Sequence, residues 1–452
     1  MDYLPQSDQH GVLAKDATRE EVEAPIAVDG RALPSQLRRV LRWEHAFLLA
    51  LAIGFWGLFL VRQTGAADFG VNTDFLGIYV GARTVATGHG AELYELQAQR
   101  TALDAALGTL HRKSLMPFIY PAYVGVLLSP LGGLPFVTAL QTWSLINLAV
   151  ILWTVFRISN LFSADLRTRL SLLVVFLAWV PLQLTMFQGQ LGLLPTLGIV
   201  EAMLALRAGH EWRAGWWLSL GLMKPQLILF PLLALVVWRC WRAVAAFAIA
   251  AAAVSGISIA IVGFWFPEYL RFLAEYNRLG PALSLYPRAM QNWRGLACWL
   301  MNRDDGHAVW LIVAMLTALS VATVVFVCSR RRSDFGVPGS SGFRREAEFA
   351  VAILLGLLSS PHLYMHDWVV ALPAGLVLWR YARDLYGEGK SRQGWTITLT
   401  LLWLIGVAPA IFFIGQFIYS GPKVPVYGAV AVVVATCTLY ASRKSPLTQL
   451  EG

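Results

Sequence analysis

Apolar residues fall in long blocks separated by short polar links, and that pattern predicts a bundle of membrane-crossing helices. The blocks cover approximately 46–62, 119–134, 136–157, 168–186, 189–207, 213–238, 243–264, 308–329, 347–360, 367–380, 395–415 and 424–441. A helix needs about 20 apolar residues to cross the hydrocarbon layer, so the blocks amount to about twelve crossings. The blocks at 119–134, 347–360 and 367–380 are short for this, and they predict tilted, half-inserted or broken helices. Met223-Lys224-Pro225 is a point at which 213–238 can split in two. Between the first two blocks, Asn72-Thr73-Asp74-Phe75 opens a stretch whose apolar spacing, through Tyr79, Ala82, Gly88, Leu93 and Tyr94, suits a short amphipathic helix at the membrane interface.

The composition agrees with this pattern: 57% of the 452 residues are hydrophobic and only 14% charged, which excludes an ordinary soluble globule. Lys and Arg number 36 against 27 Asp and Glu, a net charge of +9. The excess is spread over the links instead of being concentrated in one soluble basic domain, so it argues for topology and against nucleic-acid binding. The clusters are Arg38, Arg39 and Arg42; Arg239 and Arg242; Arg330 to Arg332 with Arg344 and Arg345; Arg380, Arg383, Lys390 and Arg392; and Arg443 with Lys444. The positive-inside rule sends all five to the cytoplasm, with both termini there. The segments 63–118, 265–307, 359–366 and 416–423 then face outward together, provided that five crossings lie between 118 and 238. Residues 1–43 read as a cytoplasmic N-terminal tail without a signal-peptide core, 44–442 as the transmembrane domain and 443–452 as a cytoplasmic C-terminal tail. The four cysteines have no metal-ligand spacing, and only Cys298 falls in an outward segment, so no disulfide framework is expected.

In such a chain the polar residues near the apolar blocks mark the candidate chemistry, because ionisable groups at bilayer depth are costly and usually line a wet cavity or a substrate path. Asp74 suits a general base that deprotonates an acceptor hydroxyl, although from spacing alone an N-cap of the helix that follows is the commoner role of such an aspartate. Tyr120, in Phe118-Ile119-Tyr120-Pro121, is an interface anchor or a sugar or lipid contact. Gln188-Gly189-Gln190 offers amides that can bind hydroxyls, or simply turns a hairpin. Lys224 sits in an apolar stretch, where it meets an anion such as phosphate or carboxylate, or snorkels if the helix breaks there. In Tyr286-Pro287-Arg288-Ala289-Met290-Gln291-Asn292-Trp293-Arg294-Gly295, the arginines can clamp a phosphate and the aromatics can stack on a sugar, against a solvated aromatic loop. His362 and His366 share a helix face if Ser360 caps and Pro361 begins a helix. That spacing is zinc-like, but the rest of a metal motif is missing, so acid–base or phosphate contact by His366 is preferred to a metal site, with a structural histidine as the alternative. Asp367 is a candidate third ligand, but it would point about 100° away on the same helix.

Taken in order, these segments resemble glycosyltransferase family 87. The landmarks are Asp74 with Tyr79 and Gly88 to Tyr94, then Tyr120-Pro121, Gly189-Gln190, Ala214-Gly215 leading to Lys224-Pro225, Gln291-Asn292-Trp293, and Ser360-Pro361 through His366. Ala122 departs from the family's common Tyr-Pro-Pro, and the histidine turn holds two candidates where the family emphasises the later one. The resemblance implies a GT-C type fold with about 12 transmembrane helices and extracytoplasmic loop helices. It implies a hexosyltransferase that moves a sugar, mannose being the family's best-known, from a polyprenyl-phosphate donor to a lipid or glycan acceptor with inversion. It also implies a bacterial cytoplasmic membrane, with the active site outward.

In that scheme Asp74 is the catalytic base and His366 the functional histidine. Lys224, Arg288 or Arg294 stabilises the departing phosphate, and Tyr79, Tyr120, Gln190, Asn292 and His362 are further substrate-binding candidates. The donor lipid takes the place of a cofactor, and dependence on a divalent metal stays open. Two other readings compete: a transporter or flippase of lipid-linked sugars, and a non-catalytic envelope-assembly component. A transporter would commonly show two related halves, and no second copy of the Asp74 loop or of the histidine turn is present in the chain.

Overall fold

The computed structural model describes residues 50, 52–61, 73–108, 115–162, 166–329 and 342–386. The tail 1–43 and the last two apolar blocks lie outside the described residues. Within them every regular element is helical. In chain order these are α1 (Ala52–Val61), α2 (Phe75–Ala86), α3 (Leu96–Leu107), α4 (Ala122–Gly132), α5 (Phe136–Ser159), α6 (Leu166–Ala178), α7 (Val180–Gln188) and α8 (Leu193–Arg207). They continue as α9 (Glu211–Leu218), α10 (Leu229–Val237), α11 (Trp241–Val262), α12 (Phe266–Leu279), α13 (Trp293–Met301), α14 (His307–Cys328), α15 (Gly342–Ser359) and α16 (Ala371–Tyr386).

Among the described residues, α5, α11 and α14, of 24, 22 and 22 residues, are each long and apolar enough to cross a membrane. Their outer faces carry bare apolar side chains such as Leu145, Ile257, Ile261, Leu311 and Leu319, the pattern a lipid surround permits and water does not. The block at 168–186 is a bent pair, with α6 and α7 meeting at 65°. Pro181 in the first turn of α7 accounts for the break, since proline starts a helix well and cannot continue one. The block at 119–134 folds as only 11 residues of helix, α4, between Pro121 and the Gly132-Gly133 pair. The block at 213–238 does split at Lys224, into α9, a 3₁₀ turn Ser219–Met223, a second 3₁₀ turn Pro225–Leu227, and α10.

Two expectations are corrected. The helix after Asp74 is not an interfacial surface helix, because ten of its twelve residues are buried. It packs along α4, and Gly132 permits the approach: a Cβ there would stand 2.4 Å from the Ala82 carbonyl group. The apolar spacing suited an amphipathic helix, but the face expected to be wet is covered by protein. Nor do His362 and His366 share a helix. Residues 360–364 are irregular and the helical segment begins at Met365 as a 3₁₀ turn running to Val370. Tyr364 is its N-cap and Asp367 its third residue: the Asp367 carboxylate accepts the Tyr364 N–H, and the Asp367 N–H donates to the Tyr364 carbonyl, so the start lies four residues later than a Ser360 cap would put it.

Charges within the apolar helices are answered by partners. Glu201 of α8 is almost fully buried, takes both a Trp153 indole N–H and a forked Arg157 guanidinium from α5, and ties those helices together. The buried side chains form two large clusters. Leu191 and Met223 belong to one, Leu193 and Leu227 to the other. The polar residues Gln190 and Lys224 therefore lie where the chain passes between two apolar bodies.

Candidate functional site

That seam encloses a cavity of about 430 Å³ whose wall includes Asp74, Tyr120, Gln190, Lys224, Arg294, His362 and His366. Seven of the ten side chains singled out in the sequence thus converge from segments nearly 300 positions apart. Ile119, Leu229, Leu273, Leu283 and Trp310 supply apolar wall.

Asp74 immediately precedes α2 but makes no side-chain cap bond to it. Its carboxylate instead accepts a 2.6 Å hydrogen bond from Gln190 Nε2, while its backbone N–H donates to Gln188 Oε1 at 3.1 Å. Both glutamines can reach it because Gly189 between them is left-handed (φ 63°), a conformation that costs glycine little. The Trp143 indole pins that turn by donating to the Gly189 carbonyl at 2.9 Å. Gln190 Oε1 in turn accepts from the Tyr120 hydroxyl at 3.0 Å. The amide orientation and the Asp74 contact are mutually consistent: Nε2 must donate to the carboxylate, which leaves Oε1 for the phenol.

On the opposite side, Lys224 Nζ meets Asp367 Oδ1 at 2.5 Å, with 3% and 0% of the two side chains exposed. Asp367 Oδ2 accepts the Tyr364 backbone N–H at 3.2 Å. Between these groups lies the His366 imidazole, Nδ1 3.8 Å from Asp74 Oδ2 and Nε2 3.4 Å from Asp367 Oδ2. The backbone carbonyl of His366 accepts from Thr185 Oγ1 at 2.7 Å, fixing the turn to α7. His362 stands apart from both carboxylates, edge-on to Tyr364 with ring centroids 5.0 Å apart. Burial pushes its imidazole down to about 3, so it is neutral near pH 7. Of the two histidines, His366 is the one in contact with charge.

Three candidates lie elsewhere. Tyr79 is buried, and its hydroxyl donates to the Leu134 carbonyl at 2.7 Å, holding α2 to the start of α5. Asn292 caps α13 by accepting from the Gly295 N–H and donates to the Ser360 carbonyl at 2.7 Å, stitching the 290s loop to the histidine turn. Arg288 is outside the cavity wall. It forks onto Asp304 (2.7 Å) and Asn302 (2.8 Å). Arg294 is different: only 4% exposed, it stacks over Trp310 at 4.8 Å, and its Nε has no hydrogen-bond partner among the described residues. Sequence reasoning passed over Asp367, whose direction was taken from an α-helix that does not form there, and over Tyr276 and Trp310, which carried no signal beyond aromaticity. Among the described residues no three His, Cys, Asp or Glu side chains are grouped to hold a metal ion.

The cavity thus brings together a carboxylate, an imidazole and a guanidinium that makes no ion pair among the described residues. Residues 118–361, more than half of the chain, match the sequence profile of glycosyltransferase family 87, and the chain belongs to that family: it is a glycosyltransferase. The matched stretch starts after Asp74 and stops before His366, so both ends of the polar cluster are supplied by its flanks.

Two relatives are named polyprenol-phosphate-mannose-dependent alpha-(1-2)-phosphatidylinositol pentamannoside mannosyltransferase. The one from Mycolicibacterium smegmatis is 28% identical over 363 residues, covering 77% of this chain and 80% of its own. The one from Mycobacterium tuberculosis is 28% identical over 349 residues, covering 71% and 72%. No solved structure matches the chain.

Proposed function

We propose that this glycosyltransferase moves mannose from a polyprenyl-phosphate donor to a hydroxyl of a lipid or glycan acceptor, with inversion at the anomeric carbon. The observation that carries the reading is the pairing state of the charges around one cavity. Asp74 keeps 28% of its side chain exposed there and is held by a neutral amide. Arg294, on the same wall, has no carboxylate partner among the described residues. In the reaction the acceptor oxygen attacks the anomeric carbon while Asp74 takes its proton, and the bond from that carbon to the phosphate oxygen breaks on the opposite face.

The negative charge that develops on the leaving phosphate needs a preorganised cation. Lys224 is answered by Asp367 and Arg288 by Asp304, so Arg294 is the cation left for it. Leu229, Ile119 and Leu273 offer apolar wall to a polyprenyl tail. The mannose and lipid-phosphate assignments draw on the names of the two relatives, whose acceptor class also fits a lipid. The same reading includes a GT-C type fold of about twelve crossings in a bacterial cytoplasmic membrane, with both termini cytoplasmic and the cavity outward. Incubating the purified protein with a lipid extract and either polyprenyl-phosphate mannose or GDP-mannose tests it. Transfer from the lipid-linked sugar alone is expected, and transfer from the nucleotide sugar alone would refute the proposal.

A further inference from the structure

The ion pair behind His366 has no place in the scheme so far. Asp367 is fully buried, and its carboxylate is fixed by Lys224 on Oδ1 and by the Tyr364 N–H on Oδ2; His366 Nε2, buried and without a hydrogen-bond partner among the described residues, stands 3.4 Å from Oδ2 as its remaining neighbour. A buried carboxylate that merely neutralised a lysine would not need an imidazole against it. An imidazole placed between two carboxylates has its tautomer set by the one that is held more rigidly. We propose that Asp367, its charge balanced by Lys224, is a positioning residue that holds His366 with Nε2–H toward itself and the Nδ1 lone pair toward Asp74.

Resting on the reading of Asp74 as the base, this gives the proton a path. It leaves the acceptor hydroxyl for Asp74 as the new C–O bond forms and the C–O(phosphate) bond breaks. It then passes from Asp74 to His366 Nδ1, making an imidazolium flanked by Asp367, and leaves to solvent to restore both groups. No oxidant, metal or further reactant is required. Lys224 thereby becomes part of the acid–base apparatus and not the phosphate contact.

His366 must be unprotonated at Nδ1 before turnover, so the acid limb of the pH dependence of kcat/KM reports the charge behind it. The charged and titratable groups that contact His366 or share its cavity wall are Asp74, Asp367, Lys224, Tyr120, Tyr269, Tyr276, Tyr364, His362 and Arg294. Asp367→Asn removes a negative charge and leaves Lys224, which disfavours the imidazolium, so the acid limb moves to lower pH. Lys224→Met leaves Asp367 uncompensated, favours the imidazolium and moves the limb to higher pH. Each displacement should be about one pH unit, with kcat about 100-fold lower for Asp367→Asn.

The other seven groups are common to both variants, so opposite displacements cannot come from them. Asp367→Glu should keep the wild-type limb. Because either single change strands a buried charge, the Lys224→Met, Asp367→Asn double variant is measured beside them: it keeps the shape without the charges and should fold, with the limb near wild type and kcat still lowered. Unmoved limbs in both single variants, or a double variant as fast as wild type, overturn the inference, and if Asp74→Asn abolishes transfer in the same assay the base assignment stands without it. Wild type that transfers nothing from polyprenyl-phosphate mannose overturns both.

Discussion

Gly132→Ala should slow sugar transfer about 100-fold without touching the cavity. Gly132 ends α4, and an added Cβ would lie 2.4 Å from the carbonyl carbon and oxygen of Ala82 in α2. Ordinary carbon contacts begin about 1 Å farther out, and the obstacle is backbone, so α2 has to move away by about that much. Asp74 stands at the start of α2, held by the 2.6 Å bond from Gln190. A displacement of about 1 Å is enough to break that bond, and misplacing a reacting group by about 1 Å costs on the order of 100-fold in rate. The repacking should also destabilise the protein by about 1–3 kcal/mol. Gly133→Ala is the control, since a Cβ there meets only the Pro130 carbonyl at 3.5 Å. The assay is initial transfer rate in nanodiscs beside the thermal unfolding midpoint. A Gly132→Ala protein that transfers at the wild-type rate would refute the idea that the α2–α4 contact positions the carboxylate.

Lys224→Met should cost about 3–5 kcal/mol of stability by stranding Asp367, whereas the Lys224→Met, Asp367→Asn double variant should regain most of it, as unfolding midpoints in detergent will show; additive losses would contradict the pairing. Arg294→Met should raise KM for the lipid-phosphate donor tenfold or more with Arg294→Lys partly restoring it, while Arg288→Ala, whose partners are exposed loop groups, should change KM less than twofold. Gln190→Leu should lower kcat about tenfold by releasing the Asp74 carboxylate and the Tyr120 hydroxyl together, with donor KM little changed; a KM effect alone would make Gln190 a sugar contact instead.

Much of the site was legible because buried charge in an apolar chain is rare, and rarity points. Asp74, Lys224 and His366 stand out against their surroundings, and all three reach the same cavity. The split of 213–238 at Lys224 could be read from Lys224-Pro225, since the residue before a proline leaves the helical region, and Lys224 does (φ −144°, ψ 77°). What could not be read was anything set by contact between distant segments. The Lys224–Asp367 pair joins residues 143 positions apart. No periodicity announces it, and assuming a regular helix from Pro361 turned Asp367 away from the cluster it belongs to. Arg288 and Arg294 were equivalent in sequence, both basic in one aromatic loop. Only their surroundings separate them, Asp304 and Asn302 for the first and the Trp310 face for the second. The burial of α2 was hidden for a related reason: a glycine at the end of another helix, and not its own pattern, lets protein cover it.

The reading stands or falls on Asp74 as the base of a lipid-linked sugar transfer. Its most direct test compares wild type with Asp74→Asn in lipid nanodiscs supplied with polyprenyl-phosphate mannose and a membrane lipid extract. Wild type should transfer the sugar, and the variant, its unfolding midpoint unchanged within a few degrees, should lose at least 100-fold. Transfer by folded Asp74→Asn at a rate near that of wild type would contradict it.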